Sequence, residues 1–289
     1  MPAQIVRKNM PQIRVQFRNG KYCDCGQTTV ISVSYTHLVL HEAAIPSVPK
    51  SVLDPLGSNR ANVDGTVNLL VAARDAKVKR VVYAASSSAY GDTPTLPKRE
   101  DMTPNPISPY AVAKLASEHY MISFYRCYGL ETVCLRYYNV FGPRQDPTSP
   151  YSGVLAKFIT LMLKGEAPTI FGDGTQSRDF TYIDNTVEAN LLAAKAPAAE
   201  VAGQVFNVAT GRRVDLNEMF QALKKLTGYA GEVQYGPERG GDIKHSLADI
   251  ARAEKHMGYK PKAVSYTHLD VYKRQERVSM RARTFRSRG

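Results

Sequence analysis

An α/β fold, a parallel sheet covered by helices with a smaller C-terminal lobe, is what this sequence predicts, and three observations predict it. Two strand-like runs, "RVVYAA" (80–85) and "ETVCLRYYNV" (131–140), bracket a long helical stretch. Such strand–helix–strand alternation favours parallel strands joined by crossover helices. Beyond residue 150 the pattern loosens, and a capped amphipathic helix, "DLNEMFQALKKLTG" (215–228), follows a Gly-rich turn. With 289 residues and 43% hydrophobic side chains, the chain has room for a sizeable core.

The elements follow in order. "NVDGTVNLLVAARDAKV" (62–78) reads as a helix whose inner face carries Val67, Leu70, Val71 and Arg74 at helical spacing. The strand 80–85 ends in Ser86, Ser87 and Ser88. In "SPYAVAK", Ser108 is the expected N-cap and Pro109 the first helical residue, so Tyr110 and Lys114 share one helix face. The strand 131–140 comes next, then a helix "VLAKFITLMLKG", a turn "FGDGTQSRD" and a strand "GQVFNVAT". In the helix after Asp215, that residue is the N-cap and Glu218 the N3 partner, with Leu216, Phe220, Leu223 and Leu226 forming the buried stripe.

Composition excludes some classes. No apolar run approaches ~18 residues, and the start lacks a secretion-signal pattern, so a cytoplasmic protein with no membrane partner is expected. Cys23, Cys25, Cys127 and Cys134 form no zinc-type CxxC pair, and no metal is expected. The net charge of +12 sits at the ends: residues 1–38 carry five basic and one acidic side chain, and residues 264–289 carry seven and two. The stretch between is near balance, so nucleic acid is not an expected partner.

The chemistry gathers around Tyr110 and Lys114. An ammonium beside a phenol favours the phenolate, which brings a group of pKa about 10 towards use as a base near neutrality. Tyr-x-x-x-Lys alone equally describes a plain surface helix, and three serines equally describe a capping loop. Ser86 stands 24 residues before Tyr110 at a strand's carboxyl end, where ligands of α/β sheets sit.

Six motifs in order, "YAASSSAYGD", "SPYAVAK", "LRYYNVFGPRQ", "GDGTQSRDFTYIDN", "FNVATG" and "RGGDIKHSLADI", resemble those of extended short-chain dehydrogenases/reductases acting on sugar nucleotides. The likeness spans roughly 39–262 and is greatest to UDP-sugar 4-epimerases of the UDP-N-acetylglucosamine type, within the NAD-dependent epimerase/dehydratase family. It implies a Rossmann-like parallel sheet binding NAD, a UDP-sugar substrate and a homodimer formed through the helix of Tyr110 and its predecessor. It also implies a role in surface-polysaccharide synthesis. Tyr110 would be the base at the sugar 4-hydroxyl, Lys114 would hold the nicotinamide ribose and depress the tyrosine pKa, and Ser86 would bond the reacting oxygen, with Ser87 and Ser88 as fallbacks. Ala43, Ala44, Asn62 and Tyr138 match cofactor-side positions. Asn139, Phe171, Arg178, Arg239, Asp242 and Ser246 match substrate-side ones, the two arginines for the diphosphate; each arginine alone equally suits a surface ion pair. The serines at 86–88 stand where sugar dehydratases carry Thr-Asp-Glu, which argues against dehydration. Ser246 leaves room for an N-acetyl group, so UDP-GlcNAc/UDP-GalNAc is favoured, with UDP-Glc/UDP-Gal possible. A UDP-glucuronate epimerase or decarboxylase, or a non-catalytic remnant, is the alternative.

One departure stands out. Members of that family open with a G-x-x-G-x-x-G turn that receives the NAD pyrophosphate on a helix N-terminus. Residues 1–38 carry none, so the sheet is expected to lack its first strands and glycine loop and to bind NAD weakly. Glu42, in "VLHEAA", stands where an apolar residue is usual. The string "VSYTHL" occurs at 33–38 and again at 264–269 with no repeat unit around it. The longer copy, "VSYTHLDVYKRQ", resembles a translated cloning adapter. The expected division is therefore a non-family flank at 1–38, a partial NAD-binding domain with Ser86, Tyr110 and Lys114 at 39–150, a mainly UDP-sugar-binding lobe at 151–262, and a second flank at 263–289.

Overall fold

The structure is a computed structural model. It describes residues 37–142, 145, 153–238 and 243–262, with the strand backbone at 14–16, 22–24 and 34–35. Arg239, Asp242, the 263–289 flank with its "VSYTHL" copy, and most of the first 36 residues lie outside the described residues.

In chain order the first half runs β1 (Arg14–Gln16), β2 (Tyr22–Asp24), β3 (Ser34–Tyr35), β4 (Leu38–His41), α1 (Val48–Leu53), α2 (Pro55–Asn59), α3 (Gly65–Asp75), β5 (Arg80–Ser86), α4 (Pro109–Tyr128) and β6 (Glu131–Tyr137). The second half runs β7 (Val140–Phe141), α5 (Val154–Leu163), β8 (Thr169–Phe171), β9 (Ser177–Arg178), β10 (Thr181–Tyr182), α6 (Ile183–Lys195), α7 (Ala198–Val201), β11 (Gln204–Val208), β12 (Val214–Asp215), α8 (Leu216–Thr227), β13 (Gln234–Gly236) and α9 (Ala251–Met257).

The described chain forms two units. One takes the residues up to Tyr137 with Val187–Val208 and Asp249–Tyr259; the other takes Tyr138–Thr186, Ala209–Ala248 and the residues from Lys260. The chain thus passes between units several times.

The first unit is built on a sheet of order β11-β6-β5-β4-β3. Its pairs are parallel except β3–β4, where Ser34 faces Val39 and Tyr35 faces Leu38. The first "VSYTHL" copy therefore supplies an edge strand and the start of β4. Alternate residues serve opposite faces of a pleated strand, and both faces are covered here. Val39, Val81 and Tyr83 pack with Leu69 and Leu70 of α3 and Met121 and Phe124 of α4. Val82, Val133 and Leu135 pack with Ala189 and Ala193 of α6 and with Phe206 and Val208. This second core explains why "GQVFNVAT" joins the first sheet rather than the C-terminal lobe: Phe206 and Val208 complete its apolar face.

Helix α3 corrects one expectation. Its inner face is Thr66, Leu69, Leu70 and Ala73, and Val71 is 36% exposed. Both faces of α3 carry apolar side chains, so spacing alone did not fix which one meets the sheet. In the second unit α8 is as expected: the Asp215 carboxylate accepts from the Glu218 N–H at 2.7 Å. Leu216, Phe220 and Leu223 are buried there, with Met219, against Phe158, Ile159 and Met162 of α5.

Candidate active site

In the first unit, α4 is fixed at its start by two serines. Ser108 Oγ accepts from the Ala111 N–H at 3.2 Å, and Ser51 Oγ of α1 accepts from the Tyr110 N–H at 3.0 Å. Pro109 occupies the first turn, where its missing N–H costs nothing. Three residues of one inward face then do different work. Tyr110 lies at the carboxyl end of β5, where its phenol shares a hydrogen bond with the Ser86 hydroxyl. Lys114 is 4% exposed, and its ammonium donates to the Ala84 carbonyl at 2.7 Å and lies 4.8 Å from the Tyr83 ring centroid. One turn on, Glu118 takes both arms of Arg136.

The serine turn is organised around Ser86. Its Oγ accepts from the Ser88 N–H at 3.2 Å and from the Ser88 hydroxyl at 2.9 Å, which leaves its own proton free to be directed outward. Ser87 lies in the same 3-10 turn. Gly91 closes that turn with φ +61°, and a Cβ there would fall 1.9 Å from the Asn105 carbonyl oxygen. Only glycine fits.

Electrostatics revise one expectation from sequence. Burial raises the Tyr110 pKa above the ordinary phenol value, and the Ser86 hydrogen bond pulls against it. The depression by Lys114 that the sequence led us to expect is not among the influences on this phenol, which burial dominates. The same burial lowers the Lys114 pKa to about 8, with Glu42 pulling it back up.

Ala43 and Ala44 follow β4 as short side chains, Ala43 buried and Ala44 half-buried. Asn62 holds this segment in place: its Oδ1 accepts from the Ile45 N–H at 2.8 Å and its Nδ2 donates to the Ile45 carbonyl at 3.3 Å. It stands in a π-helical turn, Arg60–Asp64, whose Asn62 carbonyl also accepts from Ser117 of α4. Asn62 thus ties the residues after β4 to α4. An ammonium has three N–H donors, and among the described residues Ala84 takes one from Lys114. Two N–H donors of Lys114 are thus left for a ligand.

Sequence reading missed a neighbouring cluster. Tyr137, at the end of β6, donates its hydroxyl to Glu42 Oε1 at 2.7 Å and accepts from Asn190 Nδ2 at 2.6 Å. The departure at Glu42 was visible, but its partners lie 95 and 148 positions away in sequence (137 minus 42, 190 minus 42).

In the second unit, Asn139, Phe171 and Arg178 line one cavity of about 230 Å³ with Gln145, Gln176 and Phe180. Three of the expected substrate-side residues are therefore brought together. Arg178 Nη1 donates to the Ser177 and Lys244 carbonyls, each at 3.0 Å, which fixes the guanidinium. Ser246 Oγ accepts from Asn139 Nδ2 at 3.1 Å and from the Asp179 N–H at 3.3 Å. Asn139 has φ +31°, a left-handed conformation that asparagine tolerates better than most residues. Tyr138 is buried beside it in the chain. Arg239 and Asp242 fall outside the described residues.

Asp179 is the residue of this unit that spacing did not flag. It is fully buried and accepts from the Thr210 N–H and hydroxyl, the Gly211 N–H and the Ala248 N–H at 2.7–3.3 Å. It welds the "SRDF" strand to the "ATG" turn. Burial nevertheless raises its pKa to about 6.

Comparison with known proteins identifies the family. The NAD dependent epimerase/dehydratase family matches residues 6–209, which takes in most of the leading 38 residues. A UDP-glucose 4-epimerase of Mycolicibacterium smegmatis is 38% identical over 249 residues, 86% of this chain and 78% of that protein. Two solved structures are similar. One is a UDP-N-acetylglucosamine 4-epimerase of Methanobrevibacter ruminantium in complex with UDP-N-acetylmuramic acid, with TM-score 0.80, 40% identity, and 84% of this chain and 77% of that one covered. The other is a UDP-glucuronic acid 4-epimerase of Bacillus cereus, in complex with a fluorinated UDP-glucuronic acid and NAD. Its TM-score is 0.77 at 31% identity, covering 83% of this chain and 74% of that one.

Proposed function

Because the chain belongs to the NAD-dependent epimerase/dehydratase family, we propose that it inverts C4 of a UDP-sugar, with UDP-GlcNAc and UDP-GalNAc as the favoured pair. The observation that carries this reading is the grouping of Ser86, Tyr110 and Lys114 at the carboxyl end of β5, with the phenol bonded to the serine and the ammonium buried nearby.

Tyr110 takes the proton of the sugar 4-hydroxyl at its Oη and returns it once the configuration is inverted. Ser86 bonds the same sugar oxygen with the proton that its Ser88 contacts leave free. Burial holds the free phenol protonated, and the Ser86 hydrogen bond is the contact that favours its ionised form. NAD, when bound, supplies uptake of the C4 hydride and its return to the opposite face, so no net electrons leave. With serines at 86–88, no acid and base stand ready to eliminate water.

The cavity of the second unit suits the nucleotide portion. Phe171 offers an apolar face for the uracil, and Arg178, anchored by two carbonyls, offers a fixed cation for the diphosphate. Ser246 is small and its hydroxyl is already engaged, which supports an N-acetylated sugar. Exposed Val112, Tyr120 and Tyr128 on α4, with Val71 on α3, support a homodimer through these helices; light scattering that gives a monomer mass would sink that part. Residues 1–38 hold no glycine loop, and weak NAD affinity follows.

The test is product analysis. The purified chain with excess NAD is given UDP-GlcNAc, UDP-glucose and UDP-glucuronate, and the nucleotide sugars are separated by anion-exchange chromatography. Formation of UDP-GalNAc supports the reading, and preferential turnover of UDP-glucuronate replaces the favoured sugar. No turnover of any of them at saturating NAD rejects catalysis.

A further inference from the structure

We propose that Glu42 is a positioning residue for Lys114, a carboxylate held by Tyr137 and Asn190 so that the buried ammonium keeps its charge and place. The inference rests on Lys114 being part of the proton-handling group proposed above.

The geometry begins with register. Strands β4 and β5 are parallel and pair from Leu38 and Arg80 up to His41 and Tyr83. Glu42 follows the last residue of β4, and Ala84 is the next residue of β5 and the one whose carbonyl takes the Lys114 ammonium. Glu42 therefore stands, along the strands, at the level of the residue whose carbonyl anchors the cation. Its direction is set from the other side: the Tyr137 hydroxyl donates to Oε1 at 2.7 Å, and Asn190 of α6 holds that hydroxyl at 2.6 Å. A glutamate at an exposed strand end has rotamers to lose, and these bonds select one.

The need for such a partner comes from burial. A buried ammonium is strongly disfavoured unless charge or hydrogen bonding compensates it. Lys114 has one carbonyl and one ring face. Lys114 is coupled to His41 at the end of β4 and to Glu42 just after it, and lies over Tyr83 of β5; the other titratable groups weighed are Cys134 and Tyr137 of β6, which packs against α4, and Tyr110 and Glu118 of its own helix. His41 is neutral, its pKa lowered to about 3 by burial and by the lysine. Burial raises the Tyr83, Cys134, Tyr110 and Tyr137 values, so these four are neutral too. Glu118 is taken by Arg136. Among the described residues Glu42 is the acid left to offset the ammonium: burial raises its own pKa, the Tyr137 bond and Lys114 pull it back towards the carboxylate, and Glu42 in turn raises the Lys114 value.

The experiment reads Lys114 directly in the full chain, with no substrate or cofactor. The protein is labelled with ¹³C,¹⁵N-lysine, the Lys114 side-chain resonance is assigned by its loss in Lys114→Met, and its pH midpoint is measured. Glu42→Gln is expected to lower that midpoint by at least ~0.5 unit. Glu42→Asp should restore part of the shift, and Tyr137→Phe should lower the midpoint by a smaller amount by releasing the carboxylate. An unmoved midpoint in Glu42→Gln, with the wild-type circular dichroism and melting temperature, overturns the proposal. Should that variant fail to fold, Tyr137→Phe decides: a midpoint equal to wild type overturns it equally. Because no turnover is measured, a failed epimerase assay with a moving midpoint rejects the function and leaves the positioning role standing.

Discussion

Arg136 of β6 and Glu118 of α4 form a two-armed ion pair, Nε to Oε2 at 2.9 Å and Nη2 to Oε1 at 2.7 Å, with both side chains 3% exposed. The Arg136 guanidinium also stacks 4.5 Å from the centroid of Tyr90, whose hydroxyl donates to Asn207. The pair joins the helix that carries Tyr110 and Lys114 to the strand beside β5. Removing one partner strands a buried charge, so Glu118→Ala should cost about 3–5 kcal/mol in urea unfolding. The double change Glu118→Leu with Arg136→Met should recover most of it, because neither charge is then left alone. A single-variant loss below about 1 kcal/mol would show that the pair does not hold α4.

Tyr110→Phe removes the proton acceptor while keeping the ring. With NAD supplied, kcat for C4 inversion should fall by about 10²–10⁴, with an unchanged melting temperature. Retention of more than a tenth of the activity would dismiss Tyr110 as the base.

Arg178→Ala takes a cation from the cavity of the second unit without touching Ser86, Tyr110 or Lys114. A lost hydrogen bond to a charged group is worth about 1.5–3 kcal/mol, so KM for the UDP-sugar should rise roughly tenfold to a hundredfold with kcat little changed. A fall in kcat at constant KM would contradict a binding role.

His41 predicts an acid limb of stability. Its Nε2 bonds Thr66 at 2.9 Å inside the core, and burial, then Lys114, lower its pKa from 6.5 to about 3. Between those values the unfolded chain binds the proton that the folded one refuses. Stability is therefore lost as pH falls from about 6.5 towards 3, with a slope of up to about 1.4 kcal/mol per pH unit from this residue. His41→Asn should flatten that limb in pH-dependent unfolding. Asp179 acts in the opposite sense: its raised pKa of about 6 means the folded state holds the proton more tightly, so its contribution falls as pH rises from about 4 to 6.

Gly91→Ala should destabilise the Ser86 turn. A side chain at φ +61° and ψ −157° costs about 1–3 kcal/mol in backbone strain alone, and the clash with Asn105 adds to it. Thermal unfolding against wild type measures the loss, and an unchanged melting temperature would show that the turn can relax.

The sequence by itself determined the α/β class, the capped start of α4, the stripe of α8 and the candidate trio Ser86, Tyr110 and Lys114. These rest on local rules: caps act within three residues, and helical and strand periodicity within a few turns. The motifs at 83–145, 172–211 and 239–250 also carried the family likeness. Only the tertiary structure decided which face of α3 meets the sheet, that β11 completes the first sheet, and that Glu42, Tyr137 and Asn190 meet. It also decided that burial, against the Ser86 hydrogen bond, raises the Tyr110 pKa. Each of these depends on which distant residues displace water from a given side chain, and desolvation is a property of the packed fold that no spacing along the chain records.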